Sequence, residues 1–322
     1  METQERPAKY LGVDLGGTKL MVGEMTEDGK LLDRWQYPSG TLGQKEALEL
    51  IIWALDGYFK PSTARERPCA IGVGLVGRVD SRTGAWMEID SARKEALQVG
   101  RILEERYDLP CFLDNDVRSA TKAEMLFGWG RNSNDLVYVN IGTGIAAGIV
   151  TGGHLITGRH FNSGEVGHTS SGIDFRMPCV CGRDGCVEPV ASGLGLDQCA
   201  RLLAEQYPDT KLAIPEDGKR VMASDIFALY DEDPLCRVLT DNAALGIANL
   251  IMNLVRFCDP DTVVLGGGVV SDRFLYPKIL ANLNQHTIRF VTNGIVLTEL
   301  DPRQVGILGA CSNAMKGMKD AL

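Results

Sequence analysis

Hydrophobic residues follow two spacings along the chain, and their order predicts an α/β protein. Alternating or continuously apolar runs predict strands, whereas apolar residues three and four positions apart predict helices. The strand patterns cover residues 10–15, 20–25, 69–76, 111–113, 136–139, 145–150 and 261–270. The helix patterns cover residues 43–60, 95–108, 117–127, 190–207, 220–230, 235–256 and 305–318. Alternation of this kind is typical of an α/β fold with parallel or mixed sheets.

The turn between the first two strands carries residues suited to phosphate. Gly16 and Gly17 allow a tight turn, and their N–H groups, the Thr18 hydroxyl and Lys19 can surround a phosphate. Asp14 can hold hydrated Mg²⁺ beside them. An ordinary hairpin turn is the alternative, but it leaves Asp14 unexplained because Asp is depleted inside strands.

Two later glycine turns repeat this logic. Residues 142–144 join two strands as the first turn does, so we expect a second phosphate turn there. Residues 266–268 follow a strand and lack side chains, which would let a nucleotide base and ribose approach closely. A simple strand-to-helix turn explains residues 266–268 equally well. The residues concerned are Gly142, Thr143, Gly144, Gly266, Gly267 and Gly268.

Three polar residues, Asp114, Asn115 and Asp116, stand where a predicted strand ends and a helix begins. Ligands of open α/β sheets bind at that end of the strands. The helix N-terminus favours an ionised carboxylate, so we predict Asp116 as a general base. Asn115 can both donate to and accept from a sugar hydroxyl. Helix capping is the alternative role for this group.

A second chemical cluster consists of His168, Cys179, Cys181 and Cys186. Three thiolates and an imidazole are ligands that Zn²⁺ prefers, and a filled four-ligand site is structural. The spacing differs from the usual C-x₂-C of a zinc finger, and three scattered core cysteines are the alternative. We predict a structural zinc site.

Two carboxylates, Glu165 and Glu188, bracket this cluster. If zinc fixes the loop, it also fixes both carboxylates and the exposed edge of the His168 ring. A rigid loop with two acceptors and a ring N–H suits a polyhydroxylated ligand.

Composition narrows the classes of partner. The chain has 322 residues, 44% hydrophobic and 23% charged, enough for two globular domains. Its formal net charge of −9 argues against general nucleic-acid binding. No apolar run approaches the roughly 18 residues of a membrane span, and the first residues lack an apolar signal core. We therefore expect neither a nucleic-acid nor a membrane partner.

The remaining cysteines are spread out in mostly apolar contexts, which indicates reduced thiols and a cytoplasmic protein. They are Cys69, Cys111, Cys199, Cys236, Cys258 and Cys311.

The order of these motifs closely resembles the ROK family of repressors, open reading frames and kinases. The resemblance covers roughly residues 10–315, and the cysteine-rich stretch is its most specific part. It implies an actin-like (ribonuclease H-like) two-domain sugar kinase fold with ATP in an interdomain cleft. We place a small α/β domain at residues 1–122 and a large one, with the zinc-binding loop, at residues 123–304. The last helix, residues 305–322, should pack back on the small domain.

The resemblance also implies roles for single residues. Asn115, Glu165, His168 and Glu188 would bind sugar hydroxyls, and Asp116 would deprotonate the hydroxyl attacked by the γ-phosphate. The turns at residues 16–18 and 142–144 would hold phosphates, and residues 266–268 the adenosine. The expected cofactors are ATP, Mg²⁺ and structural Zn²⁺, and the family is commonly dimeric or tetrameric.

Two departures concern the choice of sugar. The loop GLVGRVD lacks the Pro of family glucokinases, and residues 87–100 lack their Asn and Trp. Gly77 and Arg78 instead resemble the loop of the family's N-acetylmannosamine kinases. Arg78 could donate to a hydroxyl, carbonyl or acetamido oxygen, or it could be a surface residue paired with Asp80 or Glu88.

The sequence therefore favours an ATP-dependent kinase of a hexose or hexose-like sugar, glucokinase-like. Among the expected substrates we rank glucose or a close hexose first, then N-acetylmannosamine or another amino sugar, and then a keto-sugar or cyclitol. A sugar-sensing ROK repressor is the rival from another class. It would carry a DNA-binding domain ahead of the first phosphate turn, whereas nine residues precede Tyr10 here. A sugar-binding protein without activity is a further alternative, against which Asp116 and both phosphate turns argue.

Overall fold

The structure is a computed structural model that describes residues 7–17, 19–40, 42–60, 66–90, 92–173, 175 and 177–320. Contacts between Cα atoms divide the chain into two compact units. The first unit contains Met1–Arg131, Thr157–Ser163 and Arg303–Leu322, and the second contains Asn132–Ile156 and Gly164–Pro302.

The first unit is built on a five-stranded sheet. The five strands of the sheet are β1 (Lys9–Leu15), β2 (Lys19–Thr26), β3 (Leu31–Pro38), β4 (Ala70–Leu75) and β7 (Cys111–Asn115). Strands β5 (Arg78–Asp80) and β6 (Ala85–Glu88) form a separate short hairpin. The sheet order is β3-β2-β1-β4-β7, and β5 pairs with β6. The first three strands are antiparallel, whereas β4 and β7 run parallel to β1. The carboxyl ends of β1, β4 and β7 therefore share one edge.

The second unit repeats this topology. Its strands are β8 (Leu136–Ile141), β9 (Ile145–Thr151), β10 (His154–Leu155), β11 (Thr262–Gly266) and β12 (Gly294–Leu297). They are ordered β10-β9-β8-β11-β12, again with an antiparallel meander followed by two parallel strands. Each unit thus places a glycine turn between its first two strands.

Helices cover the sheets. Those of the first unit are α1 (Gln44–Tyr58), α2 (Val99–Tyr107), α3 (Asp116–Phe127) and α9 (Val305–Asp320). Those of the second unit are α4 (Glu188–Ala191), α5 (Gly193–Leu203), α6 (Ala223–Ala228), α7 (Pro234–Cys258) and α8 (Leu275–Ala281). Short 3₁₀ turns lie at Trp129–Asn132, Val166–His168 and Ala204–Gln206.

Helix α9 packs on β1 and β4 at unusually close range. A Cβ on Gly72 of β4 would lie 1.9 Å from the carbonyl oxygen of Ala310, and one on Gly12 of β1 would lie 2.6 Å from Cys311 Sγ. Both strand positions therefore need glycine. This packing brings the end of the chain back onto the first sheet.

Helix α7 forms the centre of the second unit. Its length and composition would suffice to cross a membrane, but 61% of its most apolar window is buried. Leu239, Ile247 and Ile251 share one apolar cluster with Val263 and Leu265 of β11. Among the described residues it is the one helix that meets the length and composition test, and its burial is that of a core helix.

Some sequence-based elements differ from the structure. The prediction of one continuous helix over residues 190–207 is wrong, because the chain breaks at Ser192. This residue is extended, and its side chain caps α5 by accepting the N–H of Gly195. The helix predicted from residue 95 begins only at Val99. Strand β3 escaped prediction because most of its side chains are exposed, which hides the apolar alternation. The domain boundaries remain a prediction, and residue 122 lies inside α3.

Candidate active site and metal cluster

The end of β7 is organised by a buried carboxylate. Asp114 is 1% exposed and pairs with Arg118 Nε at 2.5 Å and with Lys122 Nζ at 2.7 Å. Burial opposes its ionisation, but Lys122 and Arg118 together hold the pKa of Asp114 below its usual value. Its Oδ1 atom also accepts the N–H of Asn115 at 2.8 Å, so a charged group fixes the backbone that leads into α3.

Asn115 caps helix α3. Its Oδ1 atom accepts the N–H groups of Val117 and Arg118 at 2.9 and 3.2 Å, and its Nδ2 donates to the carbonyl oxygen of Gly77 at 2.9 Å. The capping role weighed for this polar group thus belongs to Asn115.

Arg78 is ion-paired. Its Nε atom donates to Glu88 Oε1 at 2.9 Å, and this hydrogen bond lowers the pKa of Glu88. The pairing with Glu88, considered from the sequence, is therefore present across the β5–β6 hairpin. Gly77 precedes it with φ 86°, and a Cβ there would lie 2.3 Å from the carbonyl oxygen of Glu88. This loop requires glycine at its first position.

Asp14 and Asp116 are electrostatic neighbours in the first unit. Burial, and then the negative charge of Asp116, raise the pKa of Asp14 to about 7, while Lys19 opposes the shift. Gly306 in the first turn of α9 leaves room for Asp14, since a Cβ there would lie 2.2 Å from Asp14 Oδ2. Two carboxylates in such a setting favour a bound cation, and oxygen ligands are those that Mg²⁺ prefers.

The first glycine turn, at Gly16 and Gly17, follows Asp14 in the chain after one intervening residue. Gly16 donates its N–H to the carbonyl oxygen of Lys19 at 2.9 Å, and the backbone at Gly17 is exposed. Thr18, predicted to contact phosphate, lies outside the described residues.

The second unit brings its two glycine turns together. Val269 donates its N–H to the carbonyl oxygen of Ile141 at 3.0 Å, and a Cβ on Gly267, which has φ 96°, would lie 2.3 Å from the same oxygen. Residues 266–268 therefore pack beside residues 142–144. The exposed Thr143 stands between the two glycines of the latter turn.

The start of α5 supports the turn at residues 142–144. Gly193 and Leu194 donate their N–H groups to the carbonyl oxygens of Gly142 and Thr143, at 2.8 and 3.2 Å. Sequence reasoning missed these two hydrogen bonds because it predicted one continuous helix here. The signal was the Ser-Gly-Leu-Gly stretch after Glu188, which combines an N-cap residue with two glycines.

His168, Cys179, Cys181 and Cys186 come together as one cluster. Their nitrogen and sulfur ligand atoms all lie within 4.8 Å of one another. Cys179 Sγ is 3.3 Å from His168 Nδ1, and Cys181 Sγ is 3.7 Å from Cys186 Sγ. Three sulfurs and one imidazole nitrogen at this spacing fit a tetrahedral metal ion.

Both carboxylates flank that cluster. Glu165 Oε2 lies 3.7 Å from His168 Nε2, so the two ring nitrogens face a thiol and a carboxylate respectively. Glu188 opens helix α4, and its Oε2 atom accepts the N–H of Ile145 at 2.8 Å. A Cβ on Gly167 would lie 3.1 Å from Glu188 Cβ, which shows how closely the His168 segment packs there.

The predicted residues thus form one group in each unit. The first unit gathers Asp14, Gly16, Gly17, Lys19, Gly77, Arg78, Asn115 and Asp116. The second unit gathers the cysteine cluster with Glu165 and Glu188, and the glycine turns at residues 142–144 and 266–268. Sequence reasoning missed the buried Arg118 and the partly buried Lys122, although two basic residues one helical turn apart directly behind Asp116 are a visible signal.

Two units of this repeated topology define the actin-like fold of sugar kinases, as predicted. The model of the ROK family matches residues 10–316. The chain therefore belongs to the ROK family, which confirms the resemblance drawn from its motifs.

Relatives within the family include kinases and a regulator. The glucokinase of Halalkalibacterium halodurans is 30% identical over 277 residues, 83% of each chain. The DNA-binding transcriptional dual regulator NagC of Escherichia coli K12 is 26% identical over 97% of this chain and 77% of its own. The ROK glucokinase of Streptomyces griseus, solved with glucose and AMPPNP, superimposes with a TM-score of 0.76 and 25% identity, covering 96% of this chain and 100% of its own.

The raised pKa of Asp14 predicts a specific dependence of stability on pH. Its pKa is about 7 in the folded protein and about 3.9 in an unfolded chain. Between these values only the folded state keeps the proton, so this group lowers the free energy of unfolding progressively as pH rises. Asp14→Asn cannot ionise and therefore avoids this loss of stability. Without added divalent ions, the urea midpoint of the variant should exceed that of the wild-type protein slightly at pH 5 and most strongly at pH 8.

Asp116→Asn provides the companion measurement. Removing the neighbouring charge should lower the Asp14 pKa and yield part of the same gain at pH 8. Equal gains for Asp14→Asn at pH 5 and pH 8 would contradict the shifted pKa.

Proposed function

We propose that this protein transfers the γ-phosphoryl group of ATP to a hydroxyl of a hexose or hexose-like sugar. Kinase relatives in the ROK family support the enzyme class, an ATP-dependent carbohydrate kinase. The observation that carries the proposal is the pair Asp14 and Asp116 at the shared carboxyl edge of β1 and β7. A carboxylate for the nucleophile beside one for the cation is what phosphoryl transfer requires of a protein.

Asp116 acts as the general base. It is the first residue of α3, where the helix N-terminus favours its ionised form. In this role it accepts the proton of the sugar hydroxyl as that oxygen attacks the γ-phosphorus. Asn115, held against Gly77, orients a neighbouring hydroxyl.

The glycine turns hold ATP. Residues 16–19 and 142–144 offer backbone N–H groups to the phosphates, with the Thr18 hydroxyl and Lys19 adding donors in the first turn. Residues 266–268 leave space for the adenosine. Asp14 would hold hydrated Mg²⁺, which supplies neutralisation of the phosphate charge when bound.

The cysteine cluster would hold a structural Zn²⁺. Its three sulfurs and one imidazole nitrogen would supply all four ligands, so no position would remain for a reacting water. Its task is to immobilise Glu165, the Nε2 edge of His168 and Glu188 as the hydroxyl-binding set. The protein works in the cytoplasm as a homodimer or homotetramer, in keeping with its family and its reduced cysteines.

The NagC relative favours a second candidate function, sugar sensing without catalysis. The presence of Asp116 beside Asp14 argues against it, because a sensor needs sugar contacts but no base. Activity measurements separate the two functions directly.

A panel of acceptors tests the proposed function. ADP release should be fastest with glucose or a close hexose, followed by N-acetylmannosamine or another amino sugar, then by a keto-sugar or cyclitol. A site that binds hydroxyls strongly rejects analogues lacking them, because its own polar groups go unpaired. Turnover only with a linear or non-sugar acceptor would refute the hydroxyl-binding set, and sugar binding without any turnover would favour the sensor.

Asp116→Asn tests the base. It should lower kcat by at least about 100-fold, the scale of general-base loss, while calorimetry still detects sugar and ATP binding. Asp225→Asn is the matched control, since Asp225 also lies in the first turn of a helix but has no assigned role. A near-normal kcat for Asp116→Asn would contradict the assignment.

Elemental analysis tests the metal. Protein prepared without chelators should contain one Zn²⁺ per chain, and Cys181→Ala should lose it together with thermal stability and sugar affinity, with the ATP KM unchanged. Cys69→Ala is the control, because that exposed cysteine lies outside the cluster. Absence of zinc from the wild-type protein would end this assignment.

A further inference from the structure

Arg118 joins three separate segments of the first unit. It is 3% exposed and directs one donor to each of three acceptors. Nε donates to Asp114 Oδ1 at 2.5 Å, Nη2 to the carbonyl oxygen of Val79 at 2.9 Å, and Nη1 to that of Phe161 at 3.0 Å. The rigid fork of a guanidinium is the side-chain group that can serve three directions at once.

Two of the three acceptors adjoin residues of the proposed sugar site in the sequence. Asp114 fixes the N–H of Asn115, and Val79 directly follows Arg78 in strand β5. Phe161 lies in Thr157–Ser163, a segment of the first unit that precedes Glu165 in the sequence by a few residues. Three separate stretches of chain thus share one anchor.

Phe161 has a strained backbone conformation. Its φ is 57°, in the left-handed region that a bulky side chain disfavours. Arg82 lies over its ring at 5.9 Å from the centroid, and Arg118 binds its carbonyl oxygen. Strained residues persist only where the surroundings over-determine them, and they cluster at functional sites.

We propose that Arg118 is a positioning residue of the sugar kinase reaction, fixing Asn115 and Asp116 relative to the Gly77–Arg78 loop and to residues 157–163. The inference rests on the proposed function for its kinetic consequence. Arg118 touches neither sugar nor ATP in this role; it sets the geometry in which the hydroxyl meets the base.

Lys122 offers a matched control. It pairs with the same carboxylate through Asp114 Oδ2, one helical turn further along α3. Its other partner is Asn313 Oδ1 at 2.9 Å, away from Val79 and Phe161. If neutralising Asp114 were the whole purpose, the two basic residues would be equivalent. A positioning role makes them different.

The test compares Arg118→Lys with Lys122→Met. Lysine keeps the charge beside Asp114 but cannot reach both carbonyl oxygens. Arg118→Lys should lower kcat/KM for the sugar at least about tenfold with a raised sugar KM, since small misplacements cost up to ~100-fold. The ATP KM should stay unchanged. Lys122→Met should keep wild-type values of kcat and of both KM values. A loss of folded enzyme would instead lower kcat alone.

Amide hydrogen exchange provides a readout independent of turnover. Residues 78–80 and 157–163 should exchange faster in Arg118→Lys and at the wild-type rate in Lys122→Met. Wild-type kinetics or wild-type exchange in Arg118→Lys would overturn the inference, as would identical effects of the two variants. If the wild-type protein phosphorylates no sugar, the proposed function fails and the exchange comparison alone decides the role of Arg118.

Discussion

The buried charge of Asp114 is the constraint on which the first unit's site depends. Removing a carboxylate from water costs several kcal/mol unless partners compensate for the lost hydration. Here Arg118 and Lys122 compensate for the charge, and the N–H of Asn115, which donates to the same carboxylate, fixes where α3 starts. Asp116, the proposed base, is the first residue of α3. Its position therefore follows from the backbone that Asp114 holds in place.

The two sheets share one topology but differ in charge at corresponding positions. Asp14 lies just before the glycine turn of the first unit, and Asn140 occupies that position in the second. An amide needs no counter-ion, whereas the half-buried Asp14 has a pKa near 7 and favours a cation. The repeated topology thus places a carboxylate before only one of its two glycine turns.

Local features of this fold could be predicted from sequence, and long-range ones could not. The glycine turns and the cysteine cluster were found because their residues lie within short stretches whose chemistry is explicit. The pairing of Arg78 with Glu88 is an expectation from the sequence because ion pairs between exposed side chains are common. The acceptors of Arg118 lie 39 and 43 residues away, and no periodicity reveals them. Strand β12, only four residues long, was missed because its run is too short to stand out.

The ring of His168 lies between the cysteine cluster and Glu165. Its Nδ1 atom faces Cys179 and its Nε2 atom faces Glu165. A metal ion held at Nδ1 would require the neutral ring to carry its proton on Nε2, the atom that points away from the sulfurs. Under the proposed function, that proton would be available to Glu165 and to a sugar hydroxyl. The cluster would therefore fix the tautomer of the ring as well as the path of the loop, and a purely apolar anchor of equal rigidity could fix only the second.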